Sequence, residues 1–302
     1  MTQPRQTMSF LMRRFDEAGI HPVTRHGQNF LIDLNLVELL VQSAELGPRD
    51  VVLEIGTGTG SLTAMMAAQA AAVVTVELDA NLHQLAREEL VDFDNITMLR
   101  QDALRNKNNF DPAIMQAVRA AIEAGPDRRL KLAANLPYNI ATPVISNLML
   151  TEIVPVSMTV TIQKEVAERI VARPGTKDYG ALSIWLQSQC ETEIVRIMPP
   201  SVFWPRPKVE SAIVRITLNP EKRARIGDLT GFHEFVRSMF FHRRKFLRSE
   251  LLSAYKKRLA KPDVDAVLET LNLSGELRAE QLDVPTMLRL YETAEQRLSQ
   301  LG

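Results

Sequence analysis

The chain has 302 residues, with 36 basic against 36 acidic, 45% apolar and 24% charged. At about 100–200 residues per domain this length predicts two domains, and the composition excludes wholesale disorder. Cancelling charges exclude an overall polycation, so only a local basic patch can mark a nucleic-acid partner.

Cys190 is the single cysteine, which excludes an internal disulfide and a cysteine-rich zinc site. Its apolar, strand-like surroundings read as those of an inert buried thiol. His21, His26, His83, His233 and His242 show no metal-ligand spacing, and no metal is expected. The longest uncharged stretch, Ile55 to Val76, is full of Gly, Thr and Ser and reads as strand, turn and helix, not as a membrane span. Arg13, Arg14, Asp16 and Glu17 interrupt the N-terminus before it can form the apolar run of a signal peptide. The expectation is a soluble, cytoplasmic, monomeric protein.

Residues 1–32 form a polar lead-in, and Asp33 reads as an N-cap. Leu36, Val37, Leu39, Leu40 and Ala44 follow at helical spacing until Gly47-Pro48 stops the helix. Strand-like runs at Val51–Ile55, Val73–Val76, Ile96–Leu99, Leu130–Ala134 and Met158–Ile162 then alternate with helical ones at Leu62–Ala72, Asn81–Leu90, Pro112–Ala124 and Thr142–Leu150. This alternation predicts βαβ units and a mostly parallel, Rossmann-like α/β sheet. Cys190–Met198 and Val209–Leu218 are strand-like around a proline-ruled loop, predicting an antiparallel hairpin at one side of the sheet. After Pro220 only amphipathic helices are read, at Phe232–Tyr255, Val264–Leu271 and Val284–Leu298. The predicted domains are 1–220, an α/β domain, and 221–302, a small all-helical domain.

The run Val51 to Gly60 is a strand entering a loop with glycines at 56, 58 and 60. Such a loop lets backbone approach a ligand, and the following helix N-terminus favours an anionic group. The dinucleotide fingerprint needs G-x-G-x-x-G/A, whereas here Ser61 stands at the last position. The G-x-G-x-G spacing fits S-adenosylmethionine enzymes better; a bare strand-to-helix turn is the other reading of the loop taken alone. Glu77 ends the second strand 21 residues after Gly56, where an acid accepts ribose hydroxyls. Asp102 ends the third strand at the same sheet edge.

Asn135-Leu136-Pro137-Tyr138 follows the fourth strand. The exocyclic amine of adenine is a poor nucleophile because its lone pair is delocalised into the ring. Oxygen acceptors that hold its N–H groups make the nitrogen more tetrahedral and stabilise the charge it gains during attack on a sulfonium methyl. The Asn135 side-chain oxygen and the Leu136 carbonyl can do this. Pro137 stiffens the turn and restricts Leu136. Tyr138 can stack on an extruded base. A turn with a core tyrosine is the plainer reading of these four residues.

Between Arg237 and Lys261 lie nine basic residues and one acid, Glu250. That local excess suits phosphate binding, the alternative being a solvated helix face. Arg244 and Arg248, four residues apart on a predicted helix, would share a face.

With these motifs in order, the chain resembles the RsmA/KsgA family of small-subunit (16S) rRNA adenine N6-dimethyltransferases. The resemblance rests on Gly27-Gln28-Asn29-Phe30-Leu31, Glu54–Gly60, Val76–Asp79, Gln101-Asp102-Ala103 and Asn135–Ile140. It continues through Gln163–Ala167, Pro205–Ala212, Arg243-Arg244-Lys245 with Arg248, and Arg278-Ala279-Glu280, nearly the whole chain. It implies an S-adenosylmethionine-dependent methyltransferase with cofactor contacts at Asn29, Leu31, Gly56, Glu77, Asp102 and Asn135, joined by Gly58, Leu78 and Ala103. Asp102 would hold the cofactor's adenine amine. Phe203 would join Tyr138 in sandwiching the target base, the alternative being a core aromatic under the proline loop. Arg243, Arg244, Lys245 and Arg248 would contact RNA within a pre-ribosomal particle.

The implied reaction places two methyl groups on each of two adjacent adenosines in the 3′-terminal hairpin loop. Two features depart from the expected pattern: an apparent helix inserted at Pro112–Ala124, and Arg206 in place of a neutral residue. An Erm-type enzyme acting on large-subunit rRNA is the nearest alternative, against which Leu136 and the Arg243-Arg244-Lys245 run weigh. A non-enzymatic transcription-factor relative is the other, against which the intact Asn135–Tyr138 motif weighs.

Overall fold

The computed structural model describes residues 12–15, 19, 28–242, 244–256 and 258–301. The chain divides into two compact units: residues up to Ala167 with Glu193–Thr217, and Glu168–Thr192 with the residues from Leu218 onward. A single cut near Pro220 therefore differs from the packing, because the segment 168–192 belongs with the helical unit.

Within the first unit the elements run β1 (Phe30–Leu31), α1 (Leu34–Ser43), β2 (Asp50–Ile55), α2 (Ser61–Ala67), β3 (Ala72–Glu77), α3 (Ala80–Glu89) and β4 (Ile96–Arg100). A small hairpin, β5 (Leu104–Asn106) and β6 (Asn109–Phe110), precedes α4 (Pro112–Glu123) and β7 (Arg129–Asn135). Then come α5 (Ala141–Leu148), β8 (Ser157–Gln163) and α6 (Lys164–Val171), which leads out of the unit. β9 (Cys190–Met198) returns to it, followed by β10 (Phe203–Trp204) and β11 (Ser211–Leu218). Asp33 caps α1 as expected, its side chain accepting the Asn35 N–H.

Among these residues a seven-stranded sheet has the order β4-β3-β2-β7-β8-β11-β9. β4, β3, β2, β7 and β8 are parallel, and β11 runs antiparallel to β8. The chain winds outward from β2 to β4 and then restarts at β7 on the other side of β2. That reversal opens a crevice at the carboxyl ends of β2 and β7, where open α/β sheets bind ligands. β2 is buried along its whole length. α4 packs on β2, β3 and β7 with Ile114 and Val118 fully buried, so the apparent insertion at Pro112–Ala124 is the helix that carries the chain from β4 back to β7.

The second unit contains α7 (Ala181–Gln187), α8 (Pro220–Ala224), α9 (Leu229–Met239), α10 (Leu247–Ala254), α11 (Lys261–Thr270) and α12 (Val284–Ser299). α7 packs on α9 and α12, with buried Trp185 against His233 at 4.6 Å between ring centroids. Phe232, Phe235, Tyr255 and Tyr291 form a chain of ring contacts in its core.

The single helix expected over Phe232–Tyr255 is two. Helical spacing continues from Val236 and Met239 to Leu247 and Leu251, all buried, which made one helix legible. The backbone instead turns between Met239 and Leu247, so that α10 folds back onto α9 and both apolar faces meet. Among the described residues no helix is long and apolar enough to cross a membrane.

Candidate active site

The crevice at the switch point is built by three strand ends and the segment that crosses them. After β2 the chain takes a left-handed bend at Gly56, with φ 91°, and another at Gly58, with φ 58°. A Cβ at Gly56 would stand 3.4 Å from Pro137 Cδ, and one at Gly58 would stand 3.3 Å from the Phe30 ring. Glycine is favoured at both positions by the left-handed backbone; a side chain would make ordinary contact at Gly56 and a slightly tight one with the Phe30 ring at Gly58.

Glu77 closes this loop from below: its two carboxylate oxygens accept the N–H groups of Gly58 and Asp79, each at 2.9 Å. It is 6% exposed, and burial raises its pKa against the opposing pull of those backbone donors. Asp102, past β4, accepts the Leu104 N–H at 3.0 Å through one oxygen.

Behind the loop, Glu54 is wholly buried. Its Oε2 accepts the hydroxyls of Thr63 and Thr75, each at 2.6 Å. Thr57 and Thr75 hydroxyl oxygens are also 2.6 Å apart. The Thr75 proton is committed to Glu54, so Thr57 is the donor to Thr75. The other oxygen, Oε1, is buried without a partner. Burial pushes the Glu54 carboxyl up to about 8, with the nearby Glu77 adding to the rise. At neutral pH this acid is therefore held mostly protonated.

Asn135 ends β7. Its Nδ2 donates to the Asn29 backbone carbonyl at 2.8 Å, which fixes the direction of the amide. Its Oδ1 is consequently turned inward, buried and without a partner. A buried acceptor left unsatisfied costs roughly 1–3 kcal/mol, which a ligand N–H recovers. The Leu136 N–H donates to the Thr161 carbonyl at 3.1 Å, pinning the turn to β8. The hydroxyls of Tyr138 and Ser211 lie 2.5 Å apart, holding the half-buried Tyr138 ring beside β11, and burial raises its pKa.

Asn29, Gly56, Gly58, Glu77, Leu78, Asp102, Ala103, Asn135 and Pro137 line one cavity. The other predicted site residues lie differently. Leu31 pairs with Phe203 in the short β1–β10 ladder and packs in the same apolar cluster, not into the cavity. Phe203 is 2% exposed among Leu40, Met198 and Ile213, so its ring offers no face for stacking in this conformation. Leu136 is buried at the turn, and Tyr138 stands outside the cavity lining.

Of the basic residues, Arg244 and Lys245 are exposed in the turn before α10, while Arg243 lies outside the described residues. Arg248 sits in the first turn of α10, held by Asp265 through Nε at 2.5 Å and Nη2 at 2.7 Å. Arg244 precedes the helix, so the shared helical face expected for Arg244 and Arg248 does not form.

Gln101 was legible only as part of a motif, without a role of its own. It lines the cavity with its Nε2 buried and unpartnered, an orphan donor opposite in character to the orphan acceptor of Asn135. Sequence gives no signal for this, since a glutamine at a strand end reads as solvated.

A parallel sheet that ends in an antiparallel strand, with a G-x-G-x-G loop at its switch point and an acid ending the next strand, fits the class of S-adenosylmethionine-dependent methyltransferases. Residues 22–296 match the family model described as ribosomal RNA adenine dimethylase, and the chain belongs to that family. It is 40% identical over 259 residues to a protein of Alkaliphilus metalliredigens called ribosomal RNA small subunit methyltransferase A, covering 85% of this chain and 86% of that one. A protein of the same name from Lactiplantibacillus plantarum is 38% identical over 271 residues, covering 89% of each chain. Among solved structures, a dimethyladenosine transferase from Plasmodium falciparum is similar in fold, with a TM-score of 0.70, 24% identity, and coverage of 88% of this chain and 97% of that one. The 23S rRNA methyltransferase ErmE has a TM-score of 0.61 at 25% identity, covering 88% of this chain and 99% of that one.

Proposed function

We propose that this protein transfers methyl groups from S-adenosylmethionine to N6 of two adjacent adenosines in the 3′-terminal hairpin loop of small-subunit rRNA, dimethylating each, within a pre-ribosomal particle in the cytoplasm. The observation that carries the reading is the Asn135 amide, whose orphan Oδ1 is fixed by the Asn29 carbonyl and buried at the switch-point cavity.

The residues present fit the cofactor. The glycine loop admits close backbone approach, Glu77 and Asp102 supply carboxylate oxygens for hydroxyl and amine donors, and Gln101 supplies a buried donor for a ring or carboxylate acceptor. When bound, the cofactor supplies an electrophilic methyl on a sulfonium. Glu77 would hold the ribose hydroxyls and Asp102 the adenine amine.

On the substrate side, Asn135 Oδ1 and the Leu136 carbonyl accept the N–H groups of the target amine. They thereby turn its lone pair toward the methyl and stabilise the positive charge that nitrogen acquires. Pro137 keeps the two acceptors in register. Tyr138 supplies a ring for the extruded base, and Phe203 joins it only after leaving its apolar cluster. No strong general base is needed, because the alkylated amine is acidic and sheds its proton to water. The helical unit, with Arg243, Arg244 and Lys245, holds the rRNA backbone.

A large-subunit substrate is the second reading, favoured by the similarity to ErmE. The higher identity to small-subunit enzymes weighs against it. The deciding experiment is methyl transfer from labelled cofactor to under-methylated small and large subunits, with mass analysis of the product nucleoside. Dimethyladenosine in the small subunit is expected; label only in the large subunit would overturn the assignment.

A further inference from the structure

In the helical unit most aromatic rings are buried, and two are exposed. Phe232, Phe235, Tyr255 and Tyr291 pack on one another in the core. Phe241 and Phe246, on the turn between α9 and α10, are 78% and 50% exposed. Single exposed apolar residues are ordinary on protein surfaces. Two phenylalanines on one short connection are less so, and the charge around them is mostly positive. Arg237 and Phe241 line the same surface depression together with one exposed acid, Glu234, and Arg244 and Lys245 lie between the two rings in sequence. Arg237, Arg244, Lys245 and Lys256 are exposed, and among the described residues none of the four forms an ion pair. The one acid of the whole 237–261 stretch, Glu250, is 1% exposed and turned inward. What this turn shows to solvent is therefore aromatic and mainly cationic: of the nearby acids Glu250 is buried beneath the surface, and Glu234 alone is exposed in the depression that Phe241 lines.

A protein surface buries aromatic rings against apolar side chains and needs no excess of one charge. A lipid headgroup layer needs cations but more apolar depth than two rings provide. Unpaired nucleotides need both features at once: cations for successive phosphates and flat faces for the bases between them. We propose that Phe241 and Phe246 are base-stacking residues, which take up unpaired bases of small-subunit rRNA while Arg244 and Lys245 neutralise the flanking phosphates. The proposal rests on the reading of the helical unit as the part that holds rRNA. It adds a second set of base contacts, separate from the adenosine being methylated.

The test compares two double variants of the full-length protein in binding under-methylated small subunits across a salt series. In Phe241→Leu/Phe246→Leu the side chains stay apolar but lose their flat faces. In Arg244→Gln/Lys245→Gln the charge goes and the rings remain. Stacking on aromatic residues corresponds to roughly 5- to 150-fold in affinity per base. The leucine variant should lose that much with an unchanged slope of log affinity against log salt. The glutamine variant should show a slope shallower by roughly 0.7–0.9 for each phosphate that is no longer neutralised. Cofactor affinity and the thermal midpoint should match wild type in the leucine variant, because both positions are solvent-facing. Tyrosines at 241 and 246 should restore binding.

Leucine variants that bind as wild type would overturn the stacking assignment. A simultaneous loss in the glutamine variant would leave the RNA reading of the segment standing, and wild-type behaviour of both variants would sink that reading too. Loss on intact particles with none on protein-stripped small-subunit rRNA would move the rings onto a ribosomal protein. A self-association present in wild type and absent in the leucine variant, with rRNA binding intact, would move them onto a second copy. Either result would refute the proposal.

Discussion

Glu54→Gln isolates the acid behind the glycine loop. The substitution keeps the shape of a protonated carboxyl and keeps an oxygen for the Thr63 and Thr75 hydroxyls, but it cannot ionise. In wild type the folded carboxyl titrates at about 8, above its ordinary 4.5. A raised folded pKa means that the native state holds a proton which the unfolded state releases. The stabilising contribution is therefore complete below 4.5 and is lost as pH rises through about 8. Between about pH 6 and pH 7.5 the native state binds nearly one more proton than the unfolded chain, which costs about 1.4 kcal/mol per pH unit and so about 2 kcal/mol over the interval. For a body of roughly 150–250 residues that corresponds to about 4–8 °C in thermal midpoint. The assay is thermal unfolding of both proteins across this range. The midpoint of wild type minus that of the variant should fall by that amount from pH 6 to pH 7.5. Parallel curves would show that Glu54 is ionised in the folded protein despite its burial, and the relay Thr57–Thr75–Glu54 would then need another account.

Asn135→Ala should lower turnover at saturating cofactor by about 10²–10³-fold, as removal of one preorganised group facing developing charge does, with the fold retained by circular dichroism; near-normal turnover would refute the amine-acceptor role. Glu77→Ala should weaken cofactor binding by roughly 10–150-fold in calorimetry, the worth of a charged hydrogen bond. It should also lower stability, because the Gly58 and Asp79 N–H groups lose their acceptor. Burial pushes the Cys190 thiol up to about 12. It should therefore resist thiol reagents in the native protein at pH 8 and react only on unfolding, and Cys190→Ser should keep its methyl-transfer rate.

The glycine loop, Glu77 and Asn135 were legible because each sits at a strand end whose spacing in sequence maps directly onto one edge of a parallel sheet. Environment was not legible in the same way. Glu54 stands inside an apolar run and shows nothing of its buried hydroxyl partners, since Thr63 and Thr75 meet it only when two strands and a helix are assembled. The α9–α10 break was hidden because the helical period happens to continue across it. Resemblance assigns Phe203 and Leu31 to sites that they face only from an apolar cluster, because a motif fixes where a residue lies along the chain and leaves its rotamer to the packing. α7 has no sequence signal of its own: a seven-residue helix is too short for periodicity to separate it from a loop.

The bond from Asn135 to the carbonyl of residue 29 has an implication for how this site tolerates change. The group that aims the Asn135 amide is main chain, so this hydrogen bond does not depend on which side chain stands at 29, and a scan of single substitutions there would miss it. The aim depends instead on the register of the two-residue ladder that seats the segment, Phe30 opposite Trp204 and Leu31 opposite Phe203. Inserting or deleting one residue between 29 and 33 would slide a different backbone group under the amide while leaving every site side chain in the sequence. The aim of the amide is thus indifferent to the spelling of residue 29 and intolerant of frame.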